Sequence, residues 1–192
     1  MTNETSAQEA TAEAGSLAIL LAERELTRIL TAYCQGVDRR DWSQVRSCYH
    51  DDAVDSHGAY VGDRDGLVEW LVQRHEHVLS SAHILTNISI RFTEDRRMAR
   101  CESYFLSLQV VDPSNGDPFA GTGDETVFMR VLGRYVDTFE RRDAVGWRIL
   151  RRDCVNDWMI RSSLGDFVTP DPSWPVARRD RTDLLYAPLP RE

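Results

Sequence analysis

Apolar residues at Ala22, Leu26, Ile29, Leu30, Tyr33 and Val37 recur at three- and four-residue steps, the spacing that gathers side chains on one face of an α-helix. The pattern predicts a first helix over 17–40 with one buried stripe. Asp41 is placed to cap a second, short helix turning Trp42, Val45, Cys48 and Tyr49 inward, after which Asp51-Asp52 break the pattern. Short strands are expected at 53–56 and 59–61, around the turn residues His57-Gly58. A third helix starting at Asp63 or Asp65 would bury Leu67, Trp70, Leu71 and Val78. Then the period changes. Strand-like runs occupy 82–92, 98–111, 125–140 and 147–157, separated by the turn-rich stretches 93–96, 112–123 and 141–146.

Helices followed by a meander give an α+β order, not the βαβ alternation of a parallel sheet. A curved, mixed or antiparallel sheet must then wrap the N-terminal helices around an apolar pocket. Residues 1–15 lack apolar periodicity and are expected to form a disordered tail, leaving 16–160 as the domain. In 161–192, Pro170, Pro172, Pro175, Pro188 and Pro190 interleave with Trp174 and Tyr186. Proline has no amide proton for a strand ladder, so this segment reads as an extended arm packed over the domain or a neighbour.

With 192 residues, 42% of them apolar and 28% charged, the chain fits one ordinary globular domain with tails. A net charge of −8, with arginines scattered among carboxylates, excludes nonspecific nucleic-acid binding, which needs clustered cations to neutralise phosphates. The polar, acidic start lacks a secretory signal, and no run approaches the ~18 apolar residues of a membrane span, so a cytoplasmic protein is expected. Cys34, Cys48, Cys101 and Cys154 lie inside patterned segments without CxxC spacing and read as buried free thiols. His50, Asp51, Asp52, Asp55 and His57 cluster without HxxxH spacing, and His75 and His77 point about 200° apart on a helix. No metal site is expected. Phosphate loops, nucleophile elbows and dinucleotide fingerprints are also missing from the sequence, so no cofactor is expected.

The chemistry centres on Asp38, closing the first helix, and His83, near the start of a β-branched strand. A carboxylate against one imidazole nitrogen fixes the tautomer and stabilises the imidazolium, freeing the other nitrogen to take a proton near neutral pH. Alternation puts His83, Leu85 and Asn87 on one face of that strand and Ile84, Ile88, Ile90 and Phe92 largely on the other, unless a bulge exchanges them. The competing readings are a hydrogen-bonded strand histidine and a surface ion pair of Asp38 with Arg39 or Arg40. Tyr33, one turn before Val37, is either a hydroxyl donor to substrate or a core aromatic. Arg152 and Asn156 share a face of the last strand, in a pocket or in solvent. Trp42, Trp70, Tyr60, Phe105, Phe128 and Trp147 offer aromatic surface for a pocket or for the core.

This order of elements, with the segments Tyr33-Cys34-Gln35-Gly36-Val37-Asp38, Cys48-Tyr49-His50-Asp51-Asp52-Ala53, His83-Ile84-Leu85-Thr86-Asn87 and Tyr135-Val136-Asp137-Thr138-Phe139-Glu140-Arg141-Arg142, resembles the SnoaL-like branch of the NTF2-like superfamily from Leu17 to Met159. It looks most like the group containing scytalone dehydratase, bile-acid 7α-dehydratase and hexachlorocyclohexane dehydrochlorinase, cofactor-free lyases built on an α+β cone and typically trimeric. The resemblance implies that their Asp–His dyad falls on Asp38 and His83, and the dehydratases' pocket tyrosine on Tyr33. The dehydrochlorinase's pocket arginine has its nearest match in Arg142, one residue from Arg141 on the opposite sheet face. The later-strand second histidine of scytalone dehydratase is absent, since the histidines here are His50, His57, His75, His77 and His83.

The expected function is a cofactor-independent, dehydratase-like lyase acting on a small, hydrophobic alicyclic or polycyclic hydroxy or carbonyl compound. The alternatives are an isomerase or polyketide cyclase using the same base, and a noncatalytic subunit like those of ring-hydroxylating dioxygenases. His83, Asp38, Tyr33 and Arg142 would carry the chemistry, with Trp42, Tyr60, Asn87, Trp147 and Asn156 against substrate. A homo-oligomer is expected, a trimer or alternatively a dimer, with no nucleic-acid or membrane partner. An Asp38 carboxylate within about 3.2 Å of one His83 nitrogen, the other facing a cavity, separates enzyme from assembly subunit.

Overall fold

A computed structural model describes residues 2–165, 167–171 and 173–189; Met1, Pro172 and Pro190 are among those outside it. Helix α1 (Thr2–Arg39) is followed by α2 (Trp42–Ser47), β1 (Tyr49–Ser56), β2 (Val61–Asp63) and α3 (Arg64–His75). The long strands β3 (Val78–Phe92), β4 (Met98–Val111), β5 (Val127–Arg142) and β6 (Gly146–Ser163) complete the domain. The sheet has six strands in the order β2-β1-β6-β5-β4-β3. Its pairings are antiparallel except that β1 runs parallel to β6, making it mixed. Leu26, Leu30, Tyr33 and Val37 of α1 and Leu67 and Leu71 of α3 are buried with Phe105, Tyr135, Phe139 and Ile149 of the sheet. The spacing read from α1 thus delivers the core stripe.

Several boundaries differ from the sequence reading. Helix α1 starts at Thr2, its backbone continuing through the segment read as a tail. The composition SAQEATAEA is rich in the strongest helix formers and offers no stop. Asp63, not Asp65, caps α3, accepting from the Gly66 amide at 2.8 Å. Val78 belongs to β3 and not to α3. In β3 the register shifts between Thr86 and Ser89, where Asn87 adopts φ +50°, a left-handed conformation that asparagine tolerates. The bulge changes parity. His83 and Leu85 therefore face in ahead of it, Ile84 and Ile88 are exposed, and beyond it Ile90 and Phe92 pack on the core, contrary to simple alternation.

A second irregularity, between Leu132 and Gly133, bends β5 against β6. A β-carbon built at Gly133 would lie 2.4 Å from the Val155 carbonyl oxygen and 2.7 Å from the Phe105 ring. Backbone cannot yield as a flexible side chain would. Gly133→Ala is expected to lower stability by about 1–3 kcal/mol, read as a lower urea midpoint at unchanged slope.

After Ser163 the chain returns over the C-terminal end of α1. Arg39 Nε donates to Asp183 Oδ1 at 3.0 Å, Tyr186 donates to Asp41 Oδ2 at 3.1 Å, and Arg179 donates to the Asp38 carbonyl at 2.9 Å. On the outer sheet face, Ile84, Leu106, Leu132 and Trp158 stand in register across four strands.

Candidate active site

Between the concave sheet and the helices lies a chamber. Tyr33, Val37, Trp70, Leu71, Arg74 and His75 come from the helices, and His57 and Phe119 from connections. The strands supply His83, Phe105, Ser107, Gln109, Met129, Val131, Tyr135, Cys154 and Asn156. Its cavity volume is about 50 Å³. That is room for a few waters, so a ring-sized ligand requires lining side chains to swing aside.

Asp38 and His83 meet on its wall. His83 Nδ1 is 2.7 Å from Asp38 Oδ1, the His83 amide donates to Asp38 Oδ2 at 2.9 Å, and Ser81 Oγ donates to Oδ1 at 2.8 Å. Three donors from one strand fix the carboxylate, and the carboxylate fixes the ring with its proton on Nδ1. Nε2 is left for the chamber that His83 lines. Burial pushes the Asp38 carboxyl up, but the His83 charge and the hydrogen bonds from His83 and Ser81 outweigh it and hold it below the usual carboxylate range.

The pair is tied onward to α3. Gln109 Nε2 donates to Ser81 Oγ at 3.4 Å and accepts on Oε1 from Arg74 at 2.8 Å, while Arg74 Nε lies 3.0 Å from Asp117. His75 Nδ1 accepts from Arg179 at 2.6 Å, and its Nε2 faces Arg74 Nη1 at 3.5 Å, so the ring is held between two guanidiniums. Burial, then the Arg74 and Arg179 charges, push its pKa well below the usual value and keep it neutral. It is a neutral ring at the chamber wall, not a base.

Across the chamber, His57 Nδ1 is 3.2 Å from Asp55 Oδ1, and Tyr49 donates to Asp55 Oδ2 at 2.8 Å. Beside them Arg152 and Asp137, both 0% exposed, form a bidentate pair at 2.7 and 2.8 Å. The guanidinium stacks 4.2 Å from the Tyr33 ring centre and 4.0 Å from that of Tyr135. Burial opposes the Arg152 charge, but Asp137 and the tyrosines more than offset it and its pKa lies well above the usual value. Burial also raises the Tyr33 and Tyr135 phenols far above their ordinary range, so both stay protonated donors. The Cys154 thiol is pushed up to about 12, mainly by burial, and is no thiolate nucleophile.

Of the residues read from sequence, His83, Tyr33 and Asn156 line the chamber, with Trp70 and Phe105, and Asp38 joins them behind His83. Others do not. Arg142 pairs with Asp52 at 2.8 and 3.0 Å and with Glu140 at 2.7 Å, outside the chamber. Strand β5 turns its odd residues inward, so Arg142 has the outward parity, about 20 Å along the strand from Tyr135. Arg141 is exposed past the same end. Trp42 packs edge-on against His75 at 5.7 Å, and Tyr60 stacks on Trp70 at 6.0 Å with its hydroxyl on the Asp63 carbonyl, so both buttress the wall from behind. Trp147 packs against Phe92 at 5.8 Å in the core, and Asn87 is exposed on the bulge.

Sequence reasoning did not bring Arg74, His75, Ser107, Gln109 or His57 to the site. The odd positions Phe105, Ser107 and Gln109 of β4 form an inward row that its alternation displays. Among the described residues no group of three or more His, Cys, Asp or Glu is arranged to hold a metal, and no helix is long and apolar enough to cross a membrane.

A model of the SnoaL-like domain matches residues 18–153. No curated protein matches the sequence. Among solved structures, a candidate scytalone dehydratase from Novosphingobium aromaticivorans superposes with TM-score 0.63 at 18% identity, over 76% of this chain and 90% of that one. A hexachlorocyclohexane dehydrochlorinase of type 3 from Novosphingobium barchaimii gives 0.64 at 19% identity, over 78% and 97%. A Mycobacterium tuberculosis protein of unknown function gives 0.54 at 19%, over 75% of each chain. At these identities the likeness establishes a shared fold.

Proposed function

Because this chain belongs to the SnoaL-like domain family and has its NTF2-like fold, we propose that it is a cofactor-independent lyase that eliminates water from a small cyclic hydroxy ketone. The observation that carries this reading is the contact between Asp38 and His83 at 2.7 Å, with His83 on the wall of a largely apolar chamber. Superposition on a candidate dehydratase and on a dehydrochlorinase supports the same reaction type.

His83 Nε2 removes a proton from carbon beside the ketone, and Asp38 balances the imidazolium that forms. Negative charge then grows on the carbonyl oxygen. Tyr33, a protonated phenol on the wall, is the donor suited to receive that oxygen. Because most of the lining is buried, this hydrogen bond acts with little competition from water.

Incubation with 3-hydroxycyclohexanone in deuterium oxide tests the reading. Formation of cyclohexenone, with deuterium entering the α-carbon, is expected. Conversion of 3-cyclohexenone to its conjugated isomer without action on the alcohol would make the chain an isomerase. Absence of both turnover and α-exchange would make it a binding subunit and end the proposal.

The outer row of exposed Ile84 and Trp158 with half-buried Leu106 and Leu132 between them suits burial against a second copy, and a homo-oligomer, trimeric as in the group resembled, is part of this proposal.

A further inference from the structure

The chamber has two carboxylate–imidazole pairs, and the mechanism above uses one. His57 resembles His83 in arrangement: Nδ1 is held by a buried carboxylate and the ring lines the chamber, leaving Nε2 for a ligand. The two walls differ in charge. Around His57 stand Asp55 and Tyr49 of β1, Tyr33 of α1, Tyr135 and Asp137 of β5, and Arg152 and Cys154 of β6, with the uncharged Trp70 ring at 6.0 Å. Two buried carboxylates thus share one guanidinium, and Arg152 gives both its hydrogen bonds to Asp137. Asp55 has only a phenol and His57 for partners. Among the described residues the His57 wall thus holds more carboxylates than guanidiniums, a costly arrangement for buried charge.

Around His83 the balance is reversed. Asp38 is served by Ser81 and by the His83 amide as well as the ring, and Arg40 and Arg179 both donate to the adjacent Val78 carbonyl. Arg74, already paired with Asp117, adds no uncompensated charge. Two arginines thus stand on the His83 side, where the mechanism above places the base.

We propose that His57, oriented by Asp55, is the general acid of this site and delivers its Nε2 proton to the departing hydroxyl while His83 removes the carbon-bound proton. The inference rests on the lyase reading above. As the C–H bond breaks at His83 Nε2, its electron pair becomes the new carbon–carbon double bond. The C–O bond breaks and the oxygen leaves as water with the proton from His57. His83 ends protonated and His57 neutral, and proton exchange with water restores both. The chain thus has a second histidine on the β1–β2 connection, where the sequence offered only a local Asp-x-His.

Kinetics on the full-length chain decide the assignment, since a chloride leaving group needs no proton. Turnover of 3-chlorocyclohexanone but not of 3-hydroxycyclohexanone by the parent chain would overturn it, whereas turnover of neither would count against the lyase reading instead. His57→Gln is expected to lose about 10²- to 10⁴-fold in kcat/KM on 3-hydroxycyclohexanone and less than about tenfold on 3-chlorocyclohexanone. Equal loss on both would identify His57 as merely structural.

Discussion

Replacing His83 with glutamine is expected to lower kcat/KM for hydroxy-ketone elimination by about 10²- to 10⁴-fold, the share of the rate that a positioned general base supplies. Glutamine is the informative choice because its amide can still donate to Asp38. Alanine would leave a buried carboxylate short of a donor and cost about 1–3 kcal/mol in addition, confusing catalysis with folding. Asp38→Asn should reduce the rate in the same direction, since an amide neither orients the ring proton on Nδ1 nor balances the imidazolium. Steady-state rates alongside urea melts make the check: full activity in His83→Gln would remove the mechanism.

The same pair has a pH signature. Asp38's folded pKa lies below its ordinary value, so its contribution to stability is complete above the unfolded carboxylate value of about 3.9 and is lost as pH falls through the folded value. Acid unfolding of Asp38→Asn should lack that component.

Arg152→Met is expected to destabilise the fold by about 3–5 kcal/mol, the largest effect on stability of any substitution considered for this chain. Its guanidinium and the Asp137 carboxylate are wholly buried, so removing one partner strands the other charge without solvent, and Asp55 stands close enough to add repulsion. The loss is of pairing, not of volume, because methionine fills much of the slot between Tyr33 and Tyr135. Arg152→Met/Asp137→Leu should therefore recover most of the stability, as replacement of both buried charges commonly does. Urea midpoints of the single and double variants decide it. A single variant as stable as the parent would mean that the pair contributes nothing to folding.

Where side chains repeat with a period, the sequence was a sufficient guide. Leu26, Leu30, Tyr33 and Val37 announced the buried stripe of α1, and that stripe carries Asp38 to the chamber wall. His83 faced inward as alternation required because it precedes the bulge; Ile90 and Phe92, beyond it, did not follow the same rule. Nothing in a hydropathy pattern marks Asn87 as the point where parity changes. Arg142 misled for a related reason: a motif places a residue on a strand but not at a depth, and the end of β5 lies far outside the cone. Arg152 was ambiguous because a buried, stacked guanidinium and a solvated one leave the same trace in an alternating strand. His57 and Asp55, two residues apart, read as a local polar cluster, and only the packing of Tyr33, Trp70 and Tyr135 turns the ring into the chamber.

Arg179 reaches His75 across 104 residues of intervening chain and bonds the carbonyls of Val37, Asp38 and Val78 on the way. One guanidinium from the C-terminal segment thus clasps the end of α1, the start of β3 and an imidazole of the chamber wall together, so the wall is finished by a residue far along the chain from those it secures.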